Sequence, residues 1–173
     1  MGLDITAYKN VKFDLPAENE DDDVITFSDY AGSFPLQLGS LAGHTVRRYT
    51  SECEEYEDYE DSYSFRAGSY GGYNTFRHWI CQRANGVTAE SVWASIDGGY
   101  SSEANFVFGY LINFSDCDGY ICKEIAEILY HEFVNNKDKV LGNTPEGAYY
   151  HELYLDWLNA FDYARHNGYV AFH

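Results

Sequence analysis

Positive charge is scarce in this chain: 11 Lys and Arg stand against 28 Asp and Glu among 173 residues, a formal net charge of -17. Such a charge repels free nucleic acid and anionic membrane surfaces, so direct nucleic-acid binding and membrane binding are not expected. Long apolar runs are missing as well. No segment approaches the ~20 apolar residues needed to cross a bilayer. The opening Met1-Gly-Leu-Asp-Ile-Thr6 has no basic stretch followed by an apolar one, so no secretory leader is expected. The four cysteines, Cys53, Cys81, Cys117 and Cys122, form no C-x-x-C pair, and the last two are spaced for neither a zinc nor a redox motif. These absences predict a soluble, cytoplasmic protein with reduced thiols.

Hydrophobic residues make up 45% of the chain, enough for a globular domain, and the length fits one domain. Aromatic residues reach 18%, mainly 17 Tyr and 11 Phe. Tyrosine at that level suits half-wet contact surfaces, because the ring buries area while the hydroxyl stays hydrogen-bonded; filling a shallow core is the simpler use. Charge of one sign is concentrated. Between Asp14 and Asp61 lie fourteen acids, half of the total, against only Arg47 and Arg48. Two runs carry twelve of them: Glu18 to Asp23, and Glu52 to Asp61, the second interleaved with Tyr56 and Tyr59 and followed by Tyr63. Acidic loops are expected near 14–23 and 52–61, since like charges packed so densely repel one another.

The periodicity predicts an α+β domain spanning 1–173, a mainly antiparallel sheet with about three helices packed on it. Leu3, Ile5 and Ala7 alternate with polar neighbours as a first strand, with a hairpin turn at Lys9-Asn10. Asn105 to Phe114 is nearly all apolar and reads as a central strand buried on both faces. Ser115 to Gly119 then makes a tight turn, and Ile121, Ile125, Leu129 and Phe133, widened by Ile128, form one face of a helix. Ser64 to Asn74 reads as a glycine and tyrosine loop leading into a helix with Phe76, Trp79, Ile80 and Ala84. Thr144-Pro145 reads as the start of a third helix, with Tyr149, Leu153, Trp157, Ala160, Phe161 and Ala164 on its apolar stripe and Gly168 at its end. Tyr169 to Phe172 reads as an edge strand.

No motif for a cofactor or a resident metal is found. Ser69-Tyr-Gly-Gly-Tyr-Asn74 precedes a helix, where backbone amides can cradle phosphate, but it lacks P-loop and dinucleotide spacing, and a structural turn is the simpler reading. Ser115, Asp116 and Asp118 flank Cys117. The two aspartates can cap the next helix, or bind a divalent cation, although Phe114 and Ile125 stand where a calcium loop needs acids. Cys117 is a poor nucleophile, because a helix N-terminus and two carboxylates pull its pKa in opposite directions. His131-Glu132 and His151-Glu152 do not complete H-E-x-x-H, since Asn135 and Leu155 fill the fourth position. His78 reads as structural.

What remains is the acidic, tyrosine-rich surface: Glu52, Glu54, Glu55, Tyr56, Glu57, Asp58, Tyr59, Glu60 and Asp61. Carboxylates interleaved with aromatics match the charge pattern that a basic nucleic-acid-binding groove is shaped to meet, and tyrosines can anchor the contact. For 18–23 a solvated loop is the simpler reading. The second candidate site is a pocket between Ser69, Tyr70, Tyr73 and Asn74 on one side and Ser115, Asp116 and Asp118 on the other, suited to an enzyme or a small-ligand or metal-binding protein.

The opening Gly2-Leu-Asp-Ile-Thr-Ala-Tyr8, the stretch Ala67-Gly-Ser-Tyr-Gly-Gly-Tyr-Asn74 and the turn Phe114-Ser-Asp-Cys-Asp-Gly119 together resemble a group of small proteins encoded by bacteriophages and prophages. The resemblance spans most of the chain. It implies a setting, the cytoplasm of an infected bacterium, and no catalytic residues. In that setting the expected function is anti-defence, an anti-CRISPR first of all. The partner would be a basic surface of a host protein or nucleoprotein defence complex, whose access to DNA is blocked. A virion or assembly component is the third reading.

Overall fold

Strict alternation along the first strand sets the architecture. In the computed structural model, which describes residues 2–11, 24–26, 37–38, 45–47, 59–114 and 119–173, β1 (Leu3–Lys9) turns Leu3, Ile5 and Ala7 fully inward. The further elements are β2 (Val24–Thr26), β3 (Gln37–Leu38), β4 (Thr45–Arg47), β5 (Asp61–Gly68), α1 (Tyr70–Asn85), α2 (Ala89–Asp97), a 3-10 turn (Glu103–Asn105), α3 (Gly109–Asn113), β6 (Gly119–Cys122), α4 (Lys123–Leu141), α5 (Tyr149–Ala164) and β7 (Tyr169–Phe172). The main sheet has the order β3-β6-β7-β1-β5, and β2 pairs with β4 in a separate ribbon. Pairings β6–β7, β7–β1 and β1–β5 are antiparallel, and the short β3–β6 pair is parallel. The α+β class is as the periodicity predicts, with five α-helices among the described residues rather than about three.

Several elements differ from their sequence reading. The Asn105–Phe114 stretch is not a strand but a 3-10 turn followed by α3. Phe108 takes a left-handed backbone (φ 60°), and a Cβ at Gly109 would lie 2.0 Å from the Glu103 carbonyl oxygen. That close crossing breaks any extended path. An apolar run alone does not separate a buried strand from a buried short helix. Ile121 belongs to β6, and the helix begins only at Lys123; its inner face is Ala126, Leu129, Phe133 and Val140, while Ile128 is exposed. β7 is central, not an edge. All four of its residues are buried between β6 and β1, as an apolar run of that kind demands.

The stretch from Ser64 to Asn74 is likewise not a loop. Tyr63, Phe65 and Ala67 alternate with Ser62, Ser64 and Arg66 through β5, and Ser69 caps α1 by accepting the Gly72 N–H at 3.0 Å. A cap of this kind contributes about 1 kcal/mol. At the other end Gly86 (φ 72°) closes α1 on the Gln82 carbonyl. Nor does Lys9-Asn10 turn a hairpin: Asn10 and Val11 donate their N–H groups to the His166 and Asn167 carbonyls. The third predicted helix starts at Tyr149, because Gly147 (φ 79°) holds a turn after Pro145. Gly147 donates its N–H to Glu152.

The core lies between the sheet and the helices. Trp157 is its centre, packed edge-on to Phe65 at 5.1 Å and against Tyr73, Phe161 and Phe172 at 5.6 Å each. Offset and edge contacts of this kind add to the area that each ring buries. Two helices are locked at one end. Arg83 of α1 donates to the Val140 carbonyl (3.0 Å) and Lys139 of α4 to the Ala84 carbonyl (2.6 Å). Each cation thus meets the negative end of the other helix. On the opposite face of the sheet, Val11, Tyr169 and Ala171 form a small buried cluster with Tyr8 and Tyr120.

Candidate functional site

Two polar arrangements stand out, one exposed and one buried. The exposed one grows from β5 and α5. Inward alternation on β5 puts Tyr63 beside α5, where its hydroxyl donates to Asp156 at 2.6 Å, with Asn159 as a further partner. Asp61, one step along the same side of the strand, accepts the Tyr163 hydroxyl at 3.0 Å. The Tyr63 and Tyr163 rings lie 5.7 Å apart. Asp156, Asn159 and Tyr163 are three and four residues apart, so they fall on one face of α5. The result is a seam of carboxylates and tyrosines along the edge strand.

Electrostatics follows from these contacts. Burial, then the hydrogen bond to Asp156, pushes the Tyr63 hydroxyl above its ordinary range. Tyr163 is also raised, chiefly by its bond to Asp61. Both therefore stay neutral donors. Beside them Glu60 is held below the usual carboxylate range by hydrogen bonds from Asn10 and Lys9. Tyr59 is exposed and packs edge-on against Tyr8 at 4.9 Å. On the α4 side the charges continue as a chain. His131 bonds Glu127 (2.8 Å), Arg165 reaches both Glu127 (3.7 Å) and Asp162 (2.8 Å), and His166 lies 3.8 Å from Asp162.

The buried arrangement centres on Arg77, which sequence reading passed over. Its guanidinium donates to the carbonyls of Ile112 (3.0 Å) and Phe114 and to the Asn74 side chain. It lies over the rings of Tyr73 (4.8 Å) and Trp93 (5.3 Å). Trp93 also donates to the Ile112 carbonyl (2.8 Å) and Tyr73 to that of Leu111 (3.3 Å). This node fastens α1 and α2 to the end of α3. Close by, Asn85 grips Val107 through both its N–H and its C=O, and Glu132 accepts the Phe108 N–H at 2.8 Å. Burial raises the Glu132 carboxyl to about 7.

Of the predicted interaction face, Tyr59, Glu60 and Asp61 are described: Asp61 belongs to the seam, Glu60 lies at its end against Asn10 and Lys9, and Tyr59 packs on Tyr8 at the other face of the sheet. Glu52, Glu54, Glu55, Tyr56, Glu57 and Asp58 lie outside the described residues. Of the predicted pocket, Ser69, Tyr70, Tyr73 and Asn74 form the cap and first turn of α1, while Ser115, Asp116 and Asp118 lie outside the described residues. Asn74 and Phe114 do come together, but around Arg77. Among the described residues no group of three or more His, Cys, Asp or Glu is arranged to hold a metal ion. Asp156, Asn159 and Tyr163 were missed, although their spacing on a helix was the available signal. No helix among the described residues is long and apolar enough to cross a membrane. Set against known proteins, the chain matches no family model, no curated protein and no solved structure.

Proposed function

We propose that this protein is a binding protein whose acidic, tyrosine-rich face occupies a basic surface of a partner. The observation that carries the reading is the seam of Asp61, Tyr63, Asp156 and Tyr163. It joins Asp61, the last acid of the 52–61 run, to α5, with its carboxylates already oriented by tyrosine hydroxyls. Such a surface loses little side-chain freedom on binding and offers aromatic anchors between its charges. With the phage resemblance, the partner class is a nucleic-acid-binding groove of a host defence complex, a CRISPR effector before a restriction enzyme. The protein acts in the host cytoplasm by denying that groove to DNA. A low-salt capture from bacterial lysate, eluted by raised salt, tests this: the eluted complex should bind DNA, and added protein should abolish that binding. A captured complex that binds DNA equally well in its presence contradicts the reading.

The Arg77 node favours a second reading, a ligand site at the Asn74–Phe114 junction, because it holds those two segments side by side. In that case a small ligand or a divalent cation shifts the amide signals of 69–77 and leaves those of 59–63 in place.

A further inference from the structure

Hydrogen bonding across β1 decides what β5 shows to the outside. Asp4 exchanges both of its main-chain bonds with His173, N–H to O at 3.3 Å and O to N–H at 2.9 Å, toward β7. It therefore gives none to β5, and its β5 partner Arg66 turns its own N–H and C=O outward. By alternation Ser64 and Ser62 do the same, whereas Tyr63 and Phe65 face β1. Ser62 confirms the phase, since its N–H is taken by the Asp61 side chain at 2.8 Å. β5 is eight residues long and stands at the edge of the sheet. Among the described residues it pairs only with β1. A long edge of this kind is a template for another strand.

Charge selects the occupant. The helix-facing side of this edge carries Asp61, Asp156, Tyr63 and Tyr163, and Glu60 lies at its end. The opposite side carries Ser62, Ser64 and Arg66, and Arg66 is matched by Asp4 at 3.4 Å. A second copy would bring another net charge of -17 against the same carboxylates. A basic segment is complementary instead. We infer that the outer edge of β5 accepts an extended basic segment of the partner as an added strand, with main-chain bonds to Ser64 and Arg66. Lysine or arginine at every second position then faces Asp61 and Asp156 over the tyrosine rings, and small polar residues face Ser62 and Ser64. The inference rests on the interaction-face reading and adds how the partner is held.

A synthetic octapeptide of alternating arginine and threonine is the probe, added to the isotope-labelled full chain. The expected result is that the Ser64 and Arg66 amides shift and gain protection from exchange, while those of Tyr63 and Phe65 do not. Ser64→Pro removes an outward N–H, which an edge strand tolerates, and should weaken binding by about tenfold or more. The same peptide N-methylated at alternate residues tests the bonds without altering the protein. Binding that leaves the two amides unmoved, that survives both changes, or that is absent at about 1 mM peptide overturns the inference. So does self-association of the wild type that Ser64→Pro abolishes, since a second copy would then occupy the edge. Salt-sensitive peptide binding that persists in Ser64→Pro but is lost on Asp61→Asn with Asp156→Asn removes the added strand and leaves the acidic face standing. Edge binding with no DNA competition by the captured complex does the reverse.

Discussion

The exposed seam and the Arg77 node use the same materials, tyrosines beside a charged group, toward opposite ends. At the node the charge is buried and committed to backbone carbonyls and Asn74, so it holds the fold together. At the seam the carboxylates accept from tyrosine hydroxyls with Asp61 exposed and Asp156 half-buried, and screening keeps the worth of the exposed pair to stability small. A charged group that is both buried and committed is structural; one that is oriented and wet is available to a partner.

The sharpest way to break the comparison is at the node. Arg77→Met leaves two carbonyls and Asn74 short of their donor and should cost roughly 3 kcal/mol of unfolding free energy, read by chemical denaturation. At temperatures where the variant stays folded, partner capture should be unchanged; a variant as stable as wild type would remove the structural role. Next comes Glu132. Its folded pKa, about 7, lies above the ordinary carboxylate value, so the neutral form is the one the fold prefers. Its favourable contribution is therefore complete below the unfolded value near 4.5 and is lost as pH rises through 7. Glu132→Gln keeps an acceptor for Phe108 without the charge. It should be more stable than wild type by about 1–2 kcal/mol at pH 8, discounted for partial exposure, with the gain vanishing by pH 5. An equal difference at both pH values contradicts the burial account. The smallest effect on stability belongs to the seam. Asp156→Asn should change it by under about 1 kcal/mol, and Tyr163→Phe should leave the melting transition in place. Asp156→Asn should nonetheless flatten the salt dependence of partner capture, and a large loss of stability with unchanged capture would move the seam into the structural class.

Alternation was the most legible signal. Leu3, Ile5 and Ala7 disclosed β1, and the stripe Leu153, Trp157, Ala160, Phe161 and Ala164 disclosed α5. The same alternation ran through Tyr63, Phe65 and Ala67, but glycines and tyrosines downstream drew attention to a loop and hid β5. Around 106–112 the pattern was silent by nature, because a run apolar at every position has no period. What broke it was a left-handed Phe108 and a glycine pressed against Glu103, contacts fixed by tertiary packing. The acidic, tyrosine-rich composition pointed to 52–61. Its α5 half showed only as the three- and four-residue spacing of Asp156, Asn159 and Tyr163, which gains meaning once α5 is known to lie over β5, and Arg77 was unreadable because nothing local marks a buried arginine.

The central claim is that the acidic face carries binding. Its most direct test is capture of the salt-eluted partner by wild type and by a chain with the acids of 52–61 reversed to lysine. The account predicts that reversal abolishes capture at low salt while the melting transition is kept. Undiminished capture by the folded, charge-reversed chain would contradict it.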